Sequence, residues 1–115
     1  MKYMLLINDD PSAWSRMSEE QVNAVMSEYF AFSAAIREEG IFVAGDALKG
    51  PEEASTVCVR DGQRVVKDGP FAETKELVGG YYVVDCDTLD QAIDAAARIP
   101  SARFGAVEVR PVAQM

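Results

Sequence analysis

Histidine is absent from all 115 residues. That removes the side chain that titrates nearest neutrality, and with it the commonest general base. Serine–histidine–aspartate and cysteine–histidine arrangements are excluded for the same reason. Cysteine is scarce: Cys58 and Cys86 are the whole complement. Two cysteines without histidine make neither a zinc site nor a disulfide framework. Both stand in apolar, strand-like runs and read as reduced structural thiols. No glycine-rich phosphate loop of either common pattern is present. No apolar stretch approaches the roughly 20 residues that a spanning helix needs. The opening run Met1-Lys2-Tyr3-Met4-Leu5-Leu6-Ile7 turns polar at Asn8-Asp9-Asp10, too early for a secretory core segment. The expectation is a cytoplasmic protein that uses no cofactor and no metal and does not enter membranes.

Positive charge is also short. Eleven Lys and Arg stand against nineteen Asp and Glu, for a net charge of −8. Such a field repels nucleic-acid phosphates and anionic membrane surfaces. No Lys/Arg cluster reverses it locally, so direct contact with DNA or RNA is not expected. A hydrophobic fraction of 49% and a charged fraction of 26% are ordinary for a folded chain. The length suits one domain, and there is no linker, internal repeat or low-complexity tract.

What is present alternates between strand and helix patterns. Residues 2–8 form a strand pattern with apolar side chains on both faces: Tyr3, Leu5 and Ile7 on one, Met4 and Leu6 on the other. Such a strand belongs in the middle of a sheet covered on both sides. Asp9-Asp10-Pro11 reads as a turn. Ser18 followed by Gln21 is a capping-box pattern that opens a helix. Val22, Val25, Met26, Tyr29, Phe30 and Ile36 mark one helical face, and Gly40 stands where a terminating glycine belongs. Residues 42–45 are a short extended piece. Residues 56–60 and 63–66 flank Asp61-Gly62, a two-residue hairpin signal. Asp68 to Gly79 is irregular, with one helical turn expected near Thr74–Leu77. Residues 80–85 form a strand. Thr88 and Gln91 cap a second helix with a stripe of Leu89, Ala92, Ile93, Ala96 and Ala97, stopped by Pro100. Residues 106–110 are the last strand.

This order predicts an α+β fold: a ferredoxin-like antiparallel sheet, two helices on one face, and an extra β-hairpin. Helices on one face leave the other to water or to a partner. A two-fold partner laying its sheet against this one makes a homodimer the expected state. Long side chains and loops covering that face in a monomer are the alternative.

Two places could carry chemistry. The first is the charged and aromatic segment 68–76, which holds Asp68, Phe71, Glu73 and Lys75. Loops held by a rigid sheet are where binding residues usually sit. The plain reading is a turn at Asp68-Gly69-Pro70, with Phe71 as its anchor into the core and a solvated charged surface after it. The second is the last strand, where Glu108 and Arg110 alternate with Val107 and Val109. If the valines meet the helices, Arg110 either pairs with Glu108 at the dimer interface or grips an anionic ligand. The tyrosines, and Met4, Met17 and Met26, read as packing residues, and Trp14 as a core-edge or interface residue.

Asp68-Gly69-Pro70-Phe71-Ala72-Glu73-Thr74-Lys75-Glu76, followed by Gly79-Gly80-Tyr81-Tyr82, resembles the signature of the YCII-related DGPF family. The first seven residues and Val107-Glu108-Val109-Arg110-Pro111-Val112 resemble that family's two ends. The resemblance implies a ferredoxin-like domain in a dimeric α/β-barrel assembly. For some YCII-like relatives the resemblance implies catalysis by a histidine–aspartate pair, which a chain without histidine cannot share. The DGPF branch is associated in genomes with sigma factors of the extracytoplasmic type, which implies a regulatory setting.

Two functions follow as expectations. One is a small-molecule binder, with an anionic ligand if Arg110 grips it, in a pocket formed by the 68–76 loop and the sheet face. Any catalysis there would be metal-free and carboxylate-based, through Asp68 or Glu73 with a raised pKa. The other is a non-catalytic protein-interaction or regulatory module.

Overall fold

The computed structural model describes residues 1–71 and 77–115. Eleven elements of regular structure follow in the order β1 (Lys2–Asp9), α1 (Pro11–Ser15), α2 (Glu19–Glu38), β2 (Phe42–Ala47), a 3₁₀ turn (Pro51–Glu53), β3 (Ser55–Arg60), β4 (Gln63–Asp68), β5 (Leu77–Asp85), α3 (Leu89–Arg98), a second 3₁₀ turn (Pro100–Arg103) and β6 (Ala106–Pro111). The helical turn expected near Thr74–Leu77 falls largely outside the described residues. Its last member, Leu77, instead begins β5.

Four strands make one antiparallel sheet in the order β2-β5-β1-β6. With the hairpin set aside, that is the ferredoxin-like arrangement, with β1 paired on both sides. The expected hairpin is present but forms a two-stranded sheet of its own, β3-β4. Its turn is built as the sequence dictates: Asp61 and Gly62 both take positive φ, at 51° and 75°.

Helix ends follow local chemistry closely. Ser18 and Gln21 satisfy each other's backbone N–H groups, as do Thr88 and Gln91. At the far end of α2, Ile41 N–H donates to Ile36 C=O and Gly40 N–H to Arg37 C=O, with Gly40 at φ +78°. That is the Schellman closure, which glycine adopts without strain. The short α1 replaces the turn expected there. Asp10 caps it by accepting from Ser12 N–H at 2.9 Å, and Pro11 takes its first position.

The core lies between the sheet and its helices. Tyr3, Leu5 and Ile7 of β1 meet Val84 of β5, Phe32 and Ile36 of α2, and Ala92, Ala95 and Ala96 of α3. Both predicted helical stripes hold at Val25, Ile36, Ala92 and Ala96 and differ in their other members. On α2, Phe32 is buried while Phe30 is 72% exposed. On α3, small alanines face the sheet, and Leu89 and Ile93 are each 46% exposed. Alanine lets α3 approach the strands closely, so the large apolar residues lose the contest for the inner face.

The opposite sheet face carries rows that run straight across it. Asp46, Tyr81, Leu6 and Glu108 form one, and Ala44, Val83, Met4 and Arg110 another. Met4, Leu6, Tyr81 and Val83 are half-buried there. The molecule is only 17 Å thick along its shortest axis, the depth of one sheet and one helix layer. No helix among the described residues is long and apolar enough to cross a membrane.

Candidate functional site

A cavity of about 470 Å³ lies on the helix side of the sheet, under α2 and toward the β2 edge. This is within the usual range for small-molecule sites. Its roof is the α2 stripe Met26, Tyr29, Phe30, Ser33 and Arg37, spaced to share one helical face. Its floor includes Ile7, Phe42, Gly45 and Tyr82, and its mouth includes Leu48, Val78 and Trp14. Met26 and Phe30 are therefore not surplus apolar surface; they border this opening.

One end of the cavity is polar and hydrogen-bonded. Asp9 continues the buried Tyr3, Leu5, Ile7 row of β1 and is only 8% exposed. Its Oδ2 accepts from Trp14 Nε1 at 2.9 Å and from Ser101 Oγ at 3.3 Å. Ser101 is fully buried, and its Oγ lies 2.5 Å from Tyr29 OH. Ser101 has one proton and gives it to the carboxylate, so Tyr29 must donate to Ser101. The chain of donors thus runs Tyr29 to Ser101 to Asp9. Burial, with the Asp9 charge as a smaller contribution, raises the Tyr29 pKa and keeps its proton in place. Trp14 is held from behind by an edge-on contact with Phe104, 5.7 Å between ring centres.

Three local features shape the space. Gly79 is the extra residue of a bulge in β5, since Ile7 pairs with Gly80 and Asn8 with Val78. A Cβ at Gly79 would stand 2.9 Å from Asp9 Oδ1. At Gly45 a Cβ would meet the Tyr82 ring at 2.6 Å. Tyr82 is pinned by Ser33 through a 2.8 Å hydroxyl pair and by Phe32 edge-on at 5.1 Å. At the other end, Arg37 lies 4.4 Å above the Phe42 ring.

The residues singled out from the sequence lie elsewhere. Asp68 ends β4 opposite Ser55 and is exposed. Phe71 is 83% exposed, so it is not a core anchor. Glu73 and Lys75 lie outside the described residues. Arg110 is on the open face of β6, 3.4 Å from Glu108, and both side chains are more than half exposed. Val107 and Val109 face the helices, as the alternation requires. The described structure does not bring Asp68, Phe71 and Arg110 into one site. Of the linked residues Asp9, Ser101 and Tyr29, Asp9 carries a weak signal in the sequence: it keeps the parity of an otherwise apolar row, an acid where a core residue is due. Among the described residues, no group of three acidic or cysteine side chains is placed to hold a metal ion.

The family model for the YCII-related domain matches residues 1–115. The chain is also 37% identical over 115 residues to an uncharacterised protein of Rhizobium meliloti (strain 1021), covering 98% of this chain and 93% of that protein.

Proposed function

The chain belongs to the YCII-related family, and from that premise we propose that it binds a small molecule in the cavity beneath α2. One observation carries this reading: an apolar and aromatic chamber of about 470 Å³ that ends on a buried, hydrogen-bonded carboxylate. Chambers of that kind give affinity through their walls and orientation through a few polar groups. Any chemistry would be metal-free and would use Asp9, the one buried carboxylate on the cavity wall. Asp68, Phe71, Glu73 and Lys75, the candidates drawn from the sequence, are proposed as secondary contacts of the same ligand, since the chain continues from them toward Val78 and Gly79, which line the cavity.

The test uses the neutral dye N-phenyl-1-naphthylamine, whose emission rises in apolar surroundings. A saturable rise is expected with the unchanged protein. Met26→Trp, at a 41% exposed position on the roof, should fill the mouth and abolish the rise while leaving the far-ultraviolet circular dichroism intact. An undiminished rise in that variant would show the dye binding elsewhere and sink the reading.

The open sheet face favours a second property, pairing of two copies. Met4, Leu6, Tyr81 and Val83 form a half-buried apolar strip with no layer of described residues over it, flanked by Glu108 and Arg110. A second copy turned by a two-fold axis would cover that strip and set each Arg110 near a partner carboxylate. This would work as one domain per chain, in the cytoplasm, where the free thiols Cys58 and Cys86 stay reduced. An interaction module tied to sigma-factor-dependent transcription would use the same face for another protein.

A further inference from the structure

The electrostatics of Asp9 say what kind of molecule the chamber takes. Its Oδ2 is occupied by two neutral donors. Its Oδ1 accepts no hydrogen bond from any described residue. Every fully enclosed side-chain oxygen or nitrogen among the described residues has a partner, so Oδ1 keeps some accessible surface, and Asp9 is one of the residues that line the cavity. Gly79 leaves room beside Oδ1 that a side chain would take.

No ion pair among the described residues involves Asp9. Arg37 is stacked on Phe42, which shares a cross-strand row with Val84 and Tyr3. That row is six residues along β1 from Asp9, or roughly 20 Å away. Lys49 is 83% exposed at the side chain and turned to Glu53 at 3.7 Å. A carboxylate withdrawn from water and held only by neutral donors is best matched by a positive donor. Tyr29, Tyr82 and Trp14 add aromatic surface, which attracts cations in its own right. The net charge of −8 raises the local concentration of cations and repels anions.

We propose that the cavity takes a small organic amine in its protonated form. The ammonium donates to Asp9 Oδ1, and the apolar body lies along Met26, Phe30, Leu48 and Val78. This rests on the cavity reading above, and the experiment separates the two. Isothermal titration would compare 2-phenylethylamine, 2-phenylethanol and phenylacetate at pH 7 in low salt. The amine should bind at least tenfold more tightly than the alcohol, and phenylacetate should not bind. Asp9→Asn should weaken the amine by tenfold or more and leave the alcohol within twofold. The three-ligand series on the unchanged protein decides the assignment however Asp9→Asn folds. If the alcohol matches the amine, or phenylacetate exceeds it, the amine assignment fails and the cavity reading stands. If none of the three binds while the naphthylamine dye does, the assignment again fails alone. If neither the dye nor any of the three binds, both fail.

Discussion

The two sheets of this molecule use the same alphabet to different ends. In β1, the residues facing the helices are closed off: Leu5 has no exposed surface and Ile7 has 5%. In the β3-β4 hairpin, Val57, Val59, Val65 and Val66 are 50–62% exposed. Both stretches are rich in β-branched or aliphatic residues. Composition of that kind favours a strand, and what lies across from it specifies whether the strand is buried. The larger sheet has two helices set on it. The hairpin has none, and a two-stranded ribbon is marginal by itself. The radius of gyration, 16.0 Å, exceeds the roughly 13 Å of a compact chain this long. A ribbon standing off the main body accounts for the excess.

The sharpest way to break this comparison is a pair of truncations. Leu5→Ala should cost about 3–4 kcal/mol, measured by urea unfolding, because it opens a void in a fully enclosed site. Val57→Ala should cost about 0.5 kcal/mol or less, as at other exposed positions. A comparable loss at Val57 would mean that the hairpin is covered in solution, by a second copy or by another protein.

A smaller effect probes the polar end of the covered half. Ser101→Ala removes the acceptor of Tyr29 and one donor to Asp9. We expect about 1–2 kcal/mol of destabilisation, read as a drop in Tm, since two enclosed polar groups lose a partner. A variant as stable as the parent would show that the Tyr29–Ser101–Asp9 chain is not formed in solution.

The smallest effect lies at the outer margin of the same half. Arg98 of α3 donates from both terminal nitrogens to Glu39, which closes α2, at 2.8 and 2.9 Å. These bonds hold the Glu39 carboxyl below its ordinary pKa. A depressed folded value means that the contribution is present above the unfolded pKa and is lost as pH falls through the folded one. The side chains are nearly half exposed, so the contribution is about 0.5 kcal/mol. Comparing the parent with Arg98→Met at pH 7 and pH 3 should show a stability gap that closes on acidification. A gap that persists at pH 3 would assign it to the packing of Arg98 on Phe32.

Much of the fold could be read in advance because its signals are short-range. The capping boxes at Ser18 and Thr88, the glycine at 40 and the Asp61-Gly62 turn each act within a few residues, and each formed where the sequence put it. The remaining members of the α2 and α3 stripes were not legible, since which of Phe30 and Phe32 turns inward depends on a sheet assembled from distant strands. The site was less legible still. The attention drawn by charge density in 68–76 passed over Asp9, a lone acid next to a turn. Its importance comes from Ser101, 92 residues away in the chain. Sequence spacing does not announce that contact.

The base of the hairpin has a consequence for how the chain finds its fold. Gly69 N–H donates to Ala54 C=O, and Thr56 Oγ1 donates to Gly69 C=O, both at 2.7 Å. The ribbon is thus pinched shut where it leaves the body. β2 and β5 must pair across about 32 intervening residues, and a hairpin already closed reduces the free span to about 18, which lowers the entropic cost of that closure by about 0.5 kcal/mol. Hairpins form in microseconds, well ahead of most long-range pairing. The exposed ribbon is then a kinetic shortcut: it brings β2 and β5 within reach of each other before any core exists.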